Sequence, residues 1–257
     1  MGVSIGPFDT AESERKVKEF LKRFEYLSVR DAASYEMASS YDLDCNVVSA
    51  GDIVGLMPKF YPKKFSEYIP SEERKKTLGF SPCNFSSDDG KALSYCRDFV
   101  RSISEARHLD KIKVVILSLN DHPDSGDLAL CQYVYNELSS LRVDVEQRSC
   151  SEHGVLATWS TISNFDAYIS VRLHGAVSAF LLGVPFLLYE YHPKCSEFLN
   201  DIGMSPGFRL QDKSGILGGE KIVSLLTSGS QFERLSAGYI SRAALNFSMA
   251  PWAEKNS

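Results

Sequence analysis

The six cysteines of this 257-residue chain include no C-x-x-C pair. Cys45, Cys83, Cys96, Cys131, Cys150 and Cys195 are scattered, so neither a structural zinc site nor a disulfide framework is expected, and they read as reduced thiols. There is no strongly basic segment and the formal net charge is -5, so charge does not suggest a duplex nucleic-acid partner. No apolar run is long enough to span a bilayer; the longest, Val177 to Tyr189, is interrupted by Gly183 and Pro185. A signal-peptide pattern is lacking too, and the expected location is cytoplasmic. G-x-x-x-x-G-K-[ST] and G-x-G-x-x-G do not occur, so a kinase-type P-loop and the common dinucleotide fingerprint are unsupported.

What is present is alternation. Gly2 to Ile5 reads as a strand, Glu12 to Phe24 as a helix with Val17, Phe20, Leu21 and Phe24 on one face, and Tyr26 to Val29 as a strand. A helix over Ala32 to Ser39 and a strand over Cys45 to Val48 follow. Pro58, Pro62 and Pro70, amid lysines and glutamates, mark a linker. A second series then runs strand (Thr77 to Ser81), helix (Gly90 to Arg107), strand (Lys113 to Leu119), helix (Leu128 to Leu141), strand (Val143 to Val145), helix (Val155 to Ser163), strand (Ala167 to Val171), helix (Ala176 to Leu182) and strand (Phe186 to Tyr189). Terminal helices are expected at Gly219 to Thr227 and Phe232 to Phe247. Such alternation implies parallel sheets with helices on both faces. The expected fold class is therefore α/β, with two Rossmann-like parallel-sheet halves. The expected divisions are a first block over 1–58, a linker over 59–74, a second block over 75–212, and helices over 213–257 that pack back on the first block. The first block has about half the elements of a doubly wound domain and begins on a strand, which suggests an incomplete first domain, the alternative being a minimal first domain completed by the terminal helices.

Ser170-Val171-Arg172-Leu173-His174-Gly175 carries the sharpest chemical signal. Arg172 and His174 fall where a strand ends and a helix begins, an edge at which open α/β sheets bind ligands and helix starts favour anions. Arginine supplies a planar fork for carboxylate or phosphate, and histidine carries a proton near neutral pH. The plainer alternative pairs Arg172 with a carboxylate and has His174 cap the helix. Ser28-Val29-Arg30-Asp31-x-x-Ser34 repeats the placement in the first block. There the alternatives are an Arg30 ion pair with Asp31, or an anion clamp formed with Arg172 across a cleft. Tyr189-Glu190-Tyr191-His192-Pro193-Lys194 follows the last strand: Lys194 is a candidate phosphate contact, Glu190 and Tyr191 are candidates for sugar hydroxyls, and His192 is either an exposed loop residue or a second acid–base group. Ser4 and Gly6, in the turn Ser4-Ile5-Gly6-Pro7, either line a cleft or merely turn the chain. Asn120-Asp121-His122-Pro123-Asp124 matches no metal signature, so no metal ligands are assigned. His108 and His153 have no supporting pattern.

These segments resemble the polysaccharide pyruvyl transferase family. The resemblance is carried by Gly2-Val3-Ser4-Ile5-Gly6-Pro7-Phe8, Ser28-Val29-Arg30-Asp31-x-x-Ser34, Val171-Arg172-Leu173-His174-Gly175 with the apolar helix after it, Gly183-Val184-Pro185, and Tyr191-x-x-Lys194 with Gly203 downstream. It implies a glycosyltransferase-B-like architecture with an incomplete first domain, because the family's early Gly-Asp segment has no counterpart. It also implies transfer of the enolpyruvyl unit of phosphoenolpyruvate to a saccharide of a surface or exopolysaccharide precursor, giving a pyruvate ketal and phosphate. No cofactor and no metal are expected, with phosphoenolpyruvate as donor substrate. The acceptor could be lipid-linked, which is compatible with peripheral membrane association. Arg30, Arg172 and Lys194 are then the donor-binding candidates and His174, with Arg172, the catalytic pair. Ser4, Gly6, Glu190, Tyr191 and His192 line the acceptor side. A nucleotide-sugar glycosyltransferase of the same fold class and an inactive partner subunit are the alternatives.

Overall fold

The computed structural model describes residues 1–61, 75–85, 90–106, 111–210, 217–227 and 237–253. Most of the expected linker, residues 62–74, and His108 lie outside these. The chain divides into two units, one formed by Met1–Pro62 with Leu235–Ser257, the other by Lys63–Arg234.

The first unit contains α1 (Ala11–Leu21), β1 (Tyr26–Val29), α2 (Ala32–Ser39), β2 (Asn46–Ser49) and α3 (Met57–Phe60). β1 and β2 pair in parallel, with Tyr26 opposite Asn46 and Val29 opposite Ser49. The expected strand over Gly2 to Ile5 is reduced to one parallel bridge between Val3 and Val29. Gly2 and Gly6 take left-handed φ values of 61° and 71°, which bounds the extended stretch. The Ile5 N–H leaves the sheet and donates to Ser34 Oγ at 2.8 Å. α1 starts in a capping box formed by Thr10 and Ser13. Its expected apolar face splits: Leu21 is buried and Val17 packs beside it, whereas Phe20 and Phe24 are exposed and meet edge to face at 5.1 Å.

The second unit runs β3 (Lys76–Ser81), α4 (Lys91–Glu105), β4 (Ile112–Ser118), α5 (Leu128–Ser140), β5 (Asp144–Ser149), α6 (Cys150–Ile162), β6 (Ala167–Ser170), α7 (Leu173–Leu181), β7 (Phe186–Tyr189), α8 (Pro193–Asp201), β8 (Arg209–Leu210) and α9 (Gly219–Thr227). Its sheet is wholly parallel, in the order β5-β4-β3-β6-β7-β8. The chain builds outward from β3 to β5, returns to the middle, and builds the other way from β6. That is the doubly wound order, and its reversal lies between β3 and β6. The carboxyl ends of those two strands therefore flank the crevice in which such sheets bind ligands. Leu78, Phe80, Val114, Ile116, Ala167 and Ile169 are fully buried on one side of the sheet beneath α4, α5 and α9. On the other side Gly79 leaves room for two rings: a Cβ there would lie 2.3 Å from Phe165 and 2.6 Å from Tyr168.

β8 and α8 were not legible in the sequence, and two helices begin earlier than expected. α7 starts at Leu173, so His174 lies in its first turn and Arg172 is its N-cap. α6 starts at Cys150, with a break at Gly154, whose φ is 76°. The two terminal helices also part company. α9 packs on α4 through Ile222, Leu225 and Leu226, so it joins the second unit rather than the first. The last helix, α10 (Ala237–Ser248), lies on the first unit. There buried Asn246 accepts from Ser28 Oγ at 2.7 Å and donates to the Gly51 carbonyl at 2.8 Å, joining the helix to the ends of β1 and β2. No helix among the described residues is long and apolar enough to cross a membrane.

Candidate functional site

At the carboxyl edge of the second sheet, Arg172 follows β6 and caps α7. Its Nε and Nη2 both donate to the Asp127 carboxylate, the Nη2 bond at 2.8 Å. The Asp127 side chain has no solvent exposure, while that of Arg172 is 24% exposed. Asp127 Oδ1 also accepts from the Asn84 backbone N–H at 2.8 Å, just beyond β3. One carboxylate thus ties together the segments after β3 and β6 and the start of α5. Asp127 was missed in the sequence. It stands between a polar loop and an apolar helix, where an aspartate reads as an ordinary helix start, and its partner lies 45 positions away.

His174 is exposed in the first turn of α7. Gly175 lets the helix close on the sheet. A Cβ there would lie 2.4 Å from Ser170 Oγ and 2.8 Å from the Tyr168 hydroxyl. Beneath it Tyr168 is fully buried and hydrogen-bonded to Ser81, whose Oγ reaches the Leu117 carbonyl at 2.7 Å. Ser170 Oγ donates to the Arg172 carbonyl at 2.7 Å. The turn presenting Arg172 and His174 is therefore fastened from below.

The segment after β7 is less open than expected. Glu190 is almost wholly buried and bound by the fork of Arg209 on β8, with Nε to Oε1 at 2.8 Å, so its carboxylate is committed to the fold. The Tyr191 ring stacks on Phe85 at 4.6 Å and has Lys194 Nζ over it, 5.6 Å from its centre. Burial, together with the neighbouring Cys83, pushes its hydroxyl well above the usual tyrosine range. His192 is half-buried rather than an exposed loop residue. It caps α8, its Nδ1 accepting from the Lys194 N–H at 3.3 Å, and burial and the nearby Lys194 lower its pKa. A surface pocket of about 440 Å³ is lined by Glu190, Tyr191, His192, Ser196, Glu197 and Asn200. A larger one of about 860 Å³ reaches the amino ends of β3 and β4, at Thr77 and Lys113, with His153 on its wall. It does not include Arg172 or His174.

In the loop after β4, Asp121 accepts hydrogen bonds from Ser118, Ser149 and Ser151. Burial raises its pKa, but those bonds outweigh burial and hold it at about 2. Nearby, His122 Nδ1 accepts from the Asp124 and Ser125 N–H groups at 3.3 Å. Among the described residues no three His, Cys, Asp or Glu side chains are grouped to hold a metal ion.

Within the first unit, Arg30 is heavily paired. Its Nη1 meets Asp52 Oδ2 at 3.0 Å and its Nε donates to Ser4 Oγ at 2.6 Å. Ser4 Oγ in turn donates to Asp31 Oδ2 at 2.6 Å, and Asp31 caps α2 through the Ser34 N–H. One guanidinium faces two carboxylates, so within this unit Arg30 makes the ion pair with Asp31 that was one of its two expected roles, and a second with Asp52. Gly6 packs against Met37, where a Cβ would meet Sδ at 3.1 Å.

A search of curated protein sequences returns no match. Among solved structures, the chain is similar to TarM, with a TM-score of 0.53 at 13% identity, covering 99% of this chain and 47% of that one. It therefore spans about half the length of that protein. It is also similar to Methanocaldococcus jannaschii UDP-GlcNAc 2-epimerase, solved with UDP-GlcNAc and UDP, with a TM-score of 0.52 at 10% identity, covering 91% of this chain and 78% of that one. At such identities the likeness concerns the fold, which is α/β and glycosyltransferase-B-like. The sequence model of the family described as polysaccharide pyruvyl transferase matches residues 1–193, three quarters of the chain and including the whole Arg172–His174 turn, and the protein belongs to that family.

Proposed function

We propose that this protein takes part in transfer of a pyruvyl group from phosphoenolpyruvate to a saccharide, with the donor bound at the carboxyl edge of the second sheet. The observation that carries the proposal is the Arg172–His174 turn: an arginine fork and an exposed histidine at the start of α7, beside the reversal of a doubly wound sheet, inside the segment that the family shares. Arg172 holds the donor carboxylate, and the α7 N-terminus and Lys194 attract its phosphate. His174 delivers a proton to the methylene carbon, which becomes a methyl group. Positive character then develops at the adjacent carbon, where one sugar hydroxyl adds and phosphate departs. A second hydroxyl closes the ketal. Of the two hydroxyl protons, one replaces the proton delivered to carbon and the other leaves with phosphate. Positioned acid–base groups of this kind contribute about 100- to 10,000-fold in rate. Arg30, engaged by Asp52 and Ser4, is not used in this account. We place the reaction in the cytoplasm, on a polysaccharide precursor, with no cofactor.

Calorimetric titration of phosphoenolpyruvate into the wild type and Arg172→Lys tests the donor site. The lysine keeps the charge but lacks the fork, so affinity falls by about 1.5–3 kcal/mol. Equal affinities would overturn the assignment of Arg172. Saturation by a nucleoside diphosphate sugar, with none by phosphoenolpyruvate, would favour the glycosyltransferase reading.

A further inference from the structure

We propose that Asp127 is a positioning residue for the donor site: it grips one side of the Arg172 guanidinium so that the other side is presented to the donor carboxylate. The inference rests on the reading of Arg172 given above.

A guanidinium carries five N–H donors in one plane. Asp127 takes the pair on Nε and Nη2. Among the described residues no other acceptor meets this group, which leaves Nη1 and the second hydrogen of Nη2. Those two nitrogens form the end-on fork that fits a second carboxylate. The grip is rigid because Asp127 is itself fixed. Its side chain is wholly buried, Oδ1 also takes the Asn84 N–H at 2.8 Å, and its own N–H donates to the Asn120 carbonyl at 2.6 Å. The Arg172 backbone is held in turn by Ser170.

Charge alone predicts the opposite of this proposal. The Arg172–Asp127 pair is close to neutral, so replacing Asp127 by asparagine adds a positive charge beside the anion site. If attraction were all that mattered, phosphoenolpyruvate would bind more tightly. If orientation matters, it binds more weakly, because the asparagine NH₂ opposes an N–H of Arg172 and the fork is released. The sign of the change therefore separates the two effects.

The test is calorimetric titration of phosphoenolpyruvate into the wild type, Asp127→Asn, Asp127→Glu, Arg172→Lys and the Arg172→Lys/Asp127→Asn double variant. The expected result is at least a tenfold loss of affinity in Asp127→Asn and in Asp127→Glu, whose extra methylene shifts the fork. In the Arg172→Lys background Asp127→Asn changes affinity less than twofold, because Asp127 acts through the arginine. Unchanged or tighter binding by Asp127→Asn, or an equal loss in both backgrounds, would overturn the proposal while leaving the donor reading intact. Failure of the wild type itself to bind would overturn both. Should the Asp127 variants not fold, the ¹⁵N spectrum of the wild type decides. A slowly exchanging Arg172 Nε–H signal, absent from Arg172→Lys, supports the grip, and fast exchange of that proton rejects it.

Discussion

Single residues at the sheet edge divide into those that face outward and those that hold them. His174 is exposed at the start of α7, whereas Gly175 beside it is buried against Ser170 and Tyr168. Their substitutions should therefore fail differently. His174→Gln is expected to leave phosphoenolpyruvate affinity within about threefold of wild type and to lower turnover by about 100-fold or more, the pattern of a group acting in the transition state. Phosphate release in the presence of a saccharide acceptor measures it, and a collapse of binding with turnover preserved would make His174 a ligand-holding residue. Gly175→Ala is expected to cost about 1–3 kcal/mol of stability, since its Cβ must displace groups in a packed interior. Urea unfolding of the two proteins reads this, and an unchanged midpoint would show that α7 shifts without cost. The Arg-x-His pattern was legible in the sequence because it sits at the joint of a strand and a helix. Asp127 and Arg209 were not, because a charge becomes a partner only when distant segments meet.

Between elements, the carboxyl edge is laced by carboxylates, Asp127 buried and Asp121 half-buried. Asp121 joins the end of β4 to the end of β5 and the start of α6 through Ser118, Ser149 and Ser151. Its pKa in the folded protein is lowered from 3.8 to about 2. The stability this adds is fully present above the unfolded value and is lost as pH falls from about 4 through 2. In Asp121→Asn the urea midpoint should decline less steeply over that window than in the wild type. Parallel slopes would show that Asp121 makes no net contribution. The strands were read from their apolar runs to within a residue or two where both faces are buried, as in β4 and β7. β5 was read short because it is an edge strand whose residues Asp144 to Arg148 are polar or half-exposed, which weakens the apolar signal. β8, only two residues long, offers no pattern at all.

At the scale of the whole molecule the two units differ in what holds them. Among the described residues the second has six parallel strands and a large continuous core. Among its described residues the first has two paired strands and two small clusters, one around Ile5, Leu21, Leu27 and Val29 and the other around Tyr26, Val48, Ala50 and Ala250. Local opening is easier where less apolar surface is buried. Amide hydrogen exchange should therefore be faster in β1 and β2 than in β3, β4 and β6. Equal protection across these five strands would refute this. Asn246 on α10 is the first place to look for cooperativity within the first unit, since it ties the terminal helix to Ser28 and Gly51.

The sequence by itself determined the α/β class, the two series of alternating elements and the strand-to-helix turn that carries Arg172 and His174. Each is a local property: periodicity of apolar side chains, β-branched runs, and glycine or proline at turns. Tertiary structure alone decided that α9 and α10 belong to different units, because both are amphipathic helices and nothing in their own residues names the sheet they cover. It alone decided that Arg30 is shared between Asp52 and, through Ser4, Asp31, that Glu190 serves Arg209, and that Asp127 grips Arg172. The reason is common to all of these: a buried charge must find its counterpart, and which counterpart it finds is set by the order in which parallel strands are laid beside one another.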